Sequence, residues 1–421
     1  MPTPAPALAA ALLAVLAAAP AGAQLLDPYP LDGVLRVNDI QAKGTHNSYH
    51  LISPFWGGNV HPDFDYEHAP LDVQLAEQGV RKFELDLFLD PDGPFRVYHV
   101  NTIDAESSCP FLIECLSIIR DWSLANPWHH PIFVFLEPKG IHSPSFNETP
   151  FIGHYDRLDA EIRAVLEPDG LLVTPDEVRG SHATLREAIL TDGWPTLRQT
   201  RGRVFVVMLD GGEDRDPYQE GHPSLAGRAM FVTSDEGRDD AAVIKVDGPT
   251  GGGFARIQNL VALGYVIRTR SDTLDDARAG DTTRREAAIA SGAHLISTDY
   301  PVPGMLDSGY FLALPGGRPS RGNPIPTAGI PGSAYDIESP AWLALPDYER
   351  DEPRWALARG SNEGEPGFDE TVDYDGDGRI TIFDLNALRL ATTPAPACGL
   401  FGIELALVIP LALWQRRRRR D

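Results

Sequence analysis

The chain of 421 residues has 43% hydrophobic and 23% charged side chains, which fits one large globular domain with appendages and excludes collagen, coiled coil and disorder throughout. With 36 Lys and Arg against 60 Asp and Glu, a net charge of −24 leaves no basic surplus to displace counterions from a nucleic acid. An acidic chain that meets an anionic substrate needs a local source of positive charge, and a metal cation is the direct one. From the N-terminus, the apolar run 7–23 closes on Ala21-Gly22-Ala23, the small-x-small pattern of a secretory signal peptide over 1–23.

Short apolar β-type runs then recur at 40–44, 82–88, 95–100, 132–136, 204–209, 243–246, 265–269 and 294–298. Helical spacing marks 71–78, 112–126, 155–166, 184–190, 256–263 and 282–290. This alternation predicts an α/β fold with a parallel sheet, and about eight strands favour a closed (β/α)8 TIM-type barrel over 35–302 rather than an open sheet. No GxGxxG follows the first strand, which weakens a dinucleotide-binding reading. Cys109 and Cys115, six apart in an exported chain, are expected to form a small disulfide.

In such a barrel the active site lies past the carboxyl ends of the strands, and polar clusters fall there. The first run leads into Lys43-Gly44-Thr45-His46-Asn47-Ser48-Tyr49, the second contains Glu84-Leu85-Asp86, the third ends Tyr98-His99, and the fourth reads Leu136-Glu137-Pro138-Lys139. Strand alternation points Glu84 and Asp86 to the same face. Two carboxylates directed into an apolar barrel are costly unless a cation sits between them. A hard divalent ion meets that need, with Asn47, Glu84, Asp86 and Glu137 supplying the oxygens Ca²⁺ prefers and His46 and His99 flanking it. Zinc fits less well, because the carboxylates outnumber the imidazoles and no cysteine joins them.

KGTHNSYH, FELDLF, VYH, FLEPK and HLISTDYP together resemble the calcium-dependent phosphatidylinositol-specific phospholipase C family over about residues 38–302. The resemblance implies a TIM-type barrel with one catalytic Ca²⁺. It implies His46 and His99 as the catalytic pair, Asn47, Glu84, Asp86 and Glu137 as metal ligands, and a phosphoinositide lipid at a membrane surface as substrate. Lys139 and Arg268 or Arg270 sit where that family contacts the headgroup; alternation puts both arginines on one side. The implied chemistry is attack of the inositol 2-hydroxyl on the adjacent phosphorus, releasing diacylglycerol. Glu84 or Glu137 would serve as base, with His46 stabilising phosphoryl charge and His99 protonating the glycerol oxygen. A division with one histidine as base and the other as acid uses the same residues. A glycerophosphodiester phosphodiesterase or lipase D is the nearest alternative, but those enzymes read His-Arg-Gly where this chain has His46-Asn47-Ser48. A catalytically inactive calcium-binding surface protein is the alternative of another class.

Beyond the barrel, 303–368 is rich in Pro and Gly and reads as a linker, with a barrel-closing segment at its start. Within 369–392, Asp373, Asp375, Asp377, Arg379 (by its carbonyl), Thr381 and Asp384 match an EF-hand loop, with Gly378 at its turn, and predict a second, structural calcium site. The loop resembles half of a dockerin; one loop alone does not support a cohesin partner. Residues 398–421 join Cys398-Gly399, an apolar stretch and Arg416 to Arg420, resembling a tripartite Gram-negative sorting tail cut by a processing protease. The ends together imply an exported protein, at the cell surface or extracellular.

Overall fold

The computed structural model describes residues 29–54, 61–90, 92–140, 149–315, 318–328, 337–338, 360–364, 368 and 378–381. The chain forms two compact units, one of residues 29–339 and one of 1–28 with 340–421.

Val, Ile, Phe and Leu dominate the strands of the first unit, and strands buried on both faces read as such near-continuous apolar runs. They are β1 (Ile40–Thr45), β2 (Lys82–Phe88), β3 (Ile132–Pro138), β4 (Val204–Met208), β5 (Phe231–Val232), β6 (Val243–Lys245), β7 (Val266–Arg270) and β8 (Leu295–Thr298). Each pairs in parallel with the next, and β8 returns to β1 through Ala42↔Leu295 to Thr45↔Thr298. Between β5 and β6 the ring closes on one parallel bridge, Thr233↔Val243, backed by the Ser234 N–H donating to the Val243 carbonyl at 2.9 Å. The result is a (β/α)8 TIM-type barrel with sequential strand order. Helices at Leu112–Ala125, Tyr155–Leu166, Gly252–Leu263 and Thr283–Ala290 lie close to those expected from the sequence.

One expected barrel strand is replaced. Residues 95–100 alternate apolar and polar and so imitate a half-buried strand, but only Arg96–Val97 is extended, and it pairs antiparallel with the end of β2. The ring takes β5 instead, two buried residues too short to produce a period. His99 therefore stands on a loop rather than at a barrel strand end.

Past residue 302 the chain still belongs to the barrel. Tyr310, Leu312 and Leu314 are buried, and Ser320–Gly322 pairs antiparallel with β1. Glu338 receives Arg81 Nε at 2.6 Å and the His130 backbone N–H at 3.1 Å, fastening the chain to the amino ends of β2 and β3. The Cys109–Cys115 disulfide is formed.

In the second unit the Ile380 N–H donates to the Ser361 carbonyl at 3.0 Å and the Glu363 N–H to the Gly378 carbonyl at 2.7 Å, a short antiparallel pairing. Of the expected second calcium loop only Arg379 and Thr381 fall here; Asp373, Asp375, Asp377 and Asp384 lie outside the described residues, as do the expected signal peptide and the tail from Cys398. Among the described residues no helix is long and apolar enough to cross a membrane.

Candidate active site

The turn after β1 is knitted to β2 at the residue that matters most. Ser48 donates its N–H to the Glu84 carbonyl at 2.9 Å, and its hydroxyl accepts the Glu84 N–H at 2.8 Å. Gln74 braces the same turn, its amide donating to the Ser48 carbonyl at 2.7 Å while Oε1 accepts from Thr45. Asn47 turns the chain with φ 43°, a left-handed conformation Asn tolerates better than most residues. Its amide nitrogen donates to Tyr66 Oη at 3.1 Å, so Oδ1 is the group left to meet a cation.

A cavity of about 510 Å³ opens here, walled by His46, Asn47, Tyr66, His99, Arg270 and Asp299 among others, a size suited to a small polar headgroup. His46 Nδ1 donates to Asp299 Oδ1 at 2.7 Å. Its Nε2 faces Arg270 Nη1 at 3.4 Å and Glu84 Oε1 at 3.7 Å. Burial, then the nearby Arg270 guanidinium, lowers the His46 pKa against the opposing pull of Asp299. Burial by itself would raise the Asp299 pKa, but His46 and Arg270 hold it far below the carboxylate range. Across the cavity, His99 Nδ1 is 2.7 Å from Asp104 Oδ2.

Glu84, Asp86 and Glu137 project from β2 and β3, where Asp86 and Glu137 are register partners. Their environments differ sharply. Glu84 accepts from Lys82 and, at 2.8 Å, from Arg268; burial would push its carboxyl up, but Arg268, Lys82 and His46 together hold it well below the usual range. Asp86 is fully buried and neither oxygen accepts a hydrogen bond of ordinary geometry. Burial pushes it up to about 6 despite Lys139, whose ammonium stands 3.3 Å from Asp86 and 2.9 Å from Glu137. The same two carboxylates raise the Lys139 pKa against the lowering effect of burial.

The donor chemistry is all-oxygen, as calcium prefers, and Asp86 bears on the fit: a fully buried carboxylate whose oxygens accept no hydrogen bond of ordinary geometry, with the Lys139 ammonium 3.3 Å away, has oxygens left for a cation. Glu84 is the most fully neutralised of the set by side chains of the protein itself.

The two arginines that alternation groups together are separated by depth. Arg270 reaches the cavity wall and donates to Asp299 Oδ2 at 2.6 Å. Arg268 is 2% exposed, is not among the cavity's lining residues, and commits its guanidinium to Glu84 and to Asp247 of the cavity wall. Lys139 is likewise engaged with carboxylates and is not among the cavity's lining residues.

Asp299, Asp104, His50, Lys82 and Arg284 escaped the sequence reading. Asp299 directly follows the strand ending at Thr298, so the strand-end rule was sufficient to find it. Arg284, on the helix after β7, enters the cavity wall and donates to the Asp247 carbonyl at 2.5 Å, a placement no local motif signals.

Architecture and site define the class first: a TIM-type α/β barrel with its polar chemistry at the carboxyl ends of the strands. The model of the family described as phosphoinositide phospholipase C, Ca²⁺-dependent, matches residues 35–95 and 93–324, well over half of the chain, and the protein belongs to that family. It is similar to a calcium-dependent phosphoinositol-specific phospholipase C from a Gram-negative Pseudomonas species, 19% identical, covering 71% of this chain and 98% of that one with a TM-score of 0.48. A Ca²⁺-dependent phosphatidylinositol-specific phospholipase C from Streptomyces antibioticus is 20% identical, covering 63% of this chain and 95% of that one with a TM-score of 0.45. No curated protein sequence matches the chain.

Proposed function

We propose that this protein is an exported phospholipase C that cleaves phosphatidylinositol between glycerol oxygen and phosphorus, giving diacylglycerol and an inositol phosphate. The observation that carries the reading is the pairing of His46 and His99 across one cavity, each with its Nδ1 on a buried or nearly buried aspartate. Two imidazoles so placed suit an in-line exchange, in which one removes the proton of the attacking hydroxyl and the other supplies a proton to the departing oxygen.

The roles divide by environment. His46, whose pKa burial lowers and whose Nε2 lies at the cavity beside Arg270, is the base, whereas the low pKa of Glu84 makes that carboxylate a poor one. This favours the two-histidine division over a carboxylate base. His99 hands its proton to the glycerol oxygen. Arg270, oriented by Asp299, supplies positive charge to the phosphoryl oxygens. Asn47, Glu84, Asp86 and Glu137 would hold calcium. When bound, the ion lowers the pKa of the inositol 2-hydroxyl and neutralises phosphate charge.

The test is product analysis on phosphatidylinositol vesicles with wild type, His46→Ala and His99→Ala, in calcium and in EGTA. Diacylglycerol with water-soluble inositol phosphate is expected, reversibly lost in EGTA and reduced about 10²-fold or more in each variant. A freed headgroup alcohol would mean the glycerophosphodiesterase or lipase D chemistry, and full activity of either variant would sink the assignment. The signal peptide, the calcium loop at 373–384 and the sorting tail complete the proposal; they are tested by N- and C-terminal sequencing of the mature protein and by calcium titration of residues 369–392 in the full chain.

A further inference from the structure

His99 stands on a loop, so what fixes its ring must come from outside a barrel strand. Val100 and Asp104 exchange backbone hydrogen bonds at 2.9 Å in both directions, a tight turn that brings the Asp104 carboxylate against His99. Asp104 is fully buried, with Oδ2 2.7 Å from His99 Nδ1 and 2.8 Å from His50 Nε2. His50 is also fully buried, and its other nitrogen, Nδ1, is 2.8 Å from the Tyr66 carbonyl oxygen. Both ring nitrogens of His50 are therefore committed, one to the Tyr66 carbonyl and the other to the Asp104 carboxylate. The same Asp104 oxygen is then an acceptor for His99, whose Nε2 is left to face the cavity.

Three further contacts hold this arrangement. Residues 50 and 107 form an antiparallel bridge, the Ser108 N–H donates to the Tyr49 carbonyl at 2.8 Å, and the disulfide at Cys109 follows at once. Around the His99 ring stand Asp104 from its own loop, His50 and Phe64 with ring centroids at 5.9 and 5.1 Å, and the Asp86 charge on β2.

We propose that Asp104 is a positioning residue for His99 and that His50 braces Asp104, the buried pair holding the His99 ring with Nδ1–H on the carboxylate and Nε2 presented to the departing oxygen. The catalytic part rests on the reading of His99 as the acid; the positioning part does not. In the serine hydrolases a buried aspartate fixes a catalytic histidine in the same sense. Here one carboxylate serves two rings, and the second ring never reaches substrate.

The experiment is ¹⁵N NMR of histidine-labelled full-length protein at fixed pH, with His99 assigned through His99→Gln, beside steady-state kinetics on phosphatidylinositol. Wild type should show a protonated, hydrogen-bonded His99 Nδ1, and Asp104→Asn should lose that signature. In the same variant kcat should fall about 10²-fold or more while KM stays within about threefold. In a His99→Ala background Asp104→Asn should cost no further activity, whereas a purely structural role would cost the same factor in both backgrounds. His50→Gln, which leaves Asp104 in place, should weaken the signature and lower kcat about tenfold; it decides the matter if Asp104→Asn does not fold. An unchanged His99 signal in both variants, or equal costs in the two backgrounds, overturns the proposal. Wild type inactive on phosphatidylinositol but with the expected NMR change would refute the function and leave the positioning intact.

Discussion

Replacing Asp86 by Asn should separate calcium binding from the stability of the fold. Burial raises the Asp86 pKa from 3.8 to about 6, a difference of roughly two units, which corresponds to about 3 kcal/mol at 1.36 kcal/mol per unit. The sign follows from proton binding: between pH 3.8 and about 6 the folded chain holds a proton that the unfolded chain has released. In the metal-free protein this contribution is fully present below pH 3.8 and lost as pH rises through about 6, so at pH 7 the ionised carboxylate is a net cost. Asn keeps the shape and removes the charge, while Lys139 retains Glu137 at 2.9 Å and is not orphaned.

Urea unfolding in EGTA at pH 7 should therefore show Asp86→Asn more stable than wild type by up to about 3 kcal/mol, the gap narrowing to about 1 kcal/mol at pH 4.5. Adding calcium should reverse the order, because a ligand that binds only the folded state stabilises wild type and has lost a ligand in the variant. A variant less stable than wild type in EGTA at pH 7, or one that gains as much from calcium, would refute the reasoning.

Glu84→Gln should behave oppositely, destabilising the protein by about 3 kcal/mol even in EGTA, because Lys82 and Arg268 lose a buried counter-ion; equilibrium unfolding checks it. His294 accepts the Ile267 N–H at Nδ1 and donates from Nε2 to the Asn38 carbonyl, and burial lowers its pKa to about 4. Its contribution, about 3 kcal/mol, is present above pH 6.5 and lost as pH falls toward 4, so His294→Gln should flatten the pH dependence of the unfolding free energy; parallel curves would contradict this. Replacing Cys109 and Cys115 by Ser should cost about 2 kcal/mol from the entropy of so short a loop, read from the urea midpoint.

The likeness between sequence reading and structure is greatest where the side-chain period is strong. KFELDLF and IFVFLEP define β2 and β3, and with them the inward placement of Glu84, Asp86 and Glu137, because a strand has only two faces and an apolar barrel fixes which is inside. His46 and Asn47 follow from the end of β1 by the same rule. Periodicity failed at β5, two residues long, and at 95–100, where alternation imitates a barrel strand.

Sequence alone thus determined the barrel, the inward carboxylates and the place of His46, since each depends on spacing along one strand or just past its end, whereas the loop that carries His99 imitated a strand. Tertiary structure decided what each group is worth. Arg268 and Arg270 have the same spacing and the same face, yet one lies buried between Glu84 and Asp247 and the other lines the cavity beside Asp299. Glu84 and Asp86 share a strand face as well, but Lys82 and Arg268 hold one carboxyl low while burial pushes the other to about 6. Charge state is set by partners 36 to 253 residues away as readily as by neighbours, and no local pattern carries that information: His46 finds Asp299 across 253 positions, and Ser48 anchors Glu84 across 36.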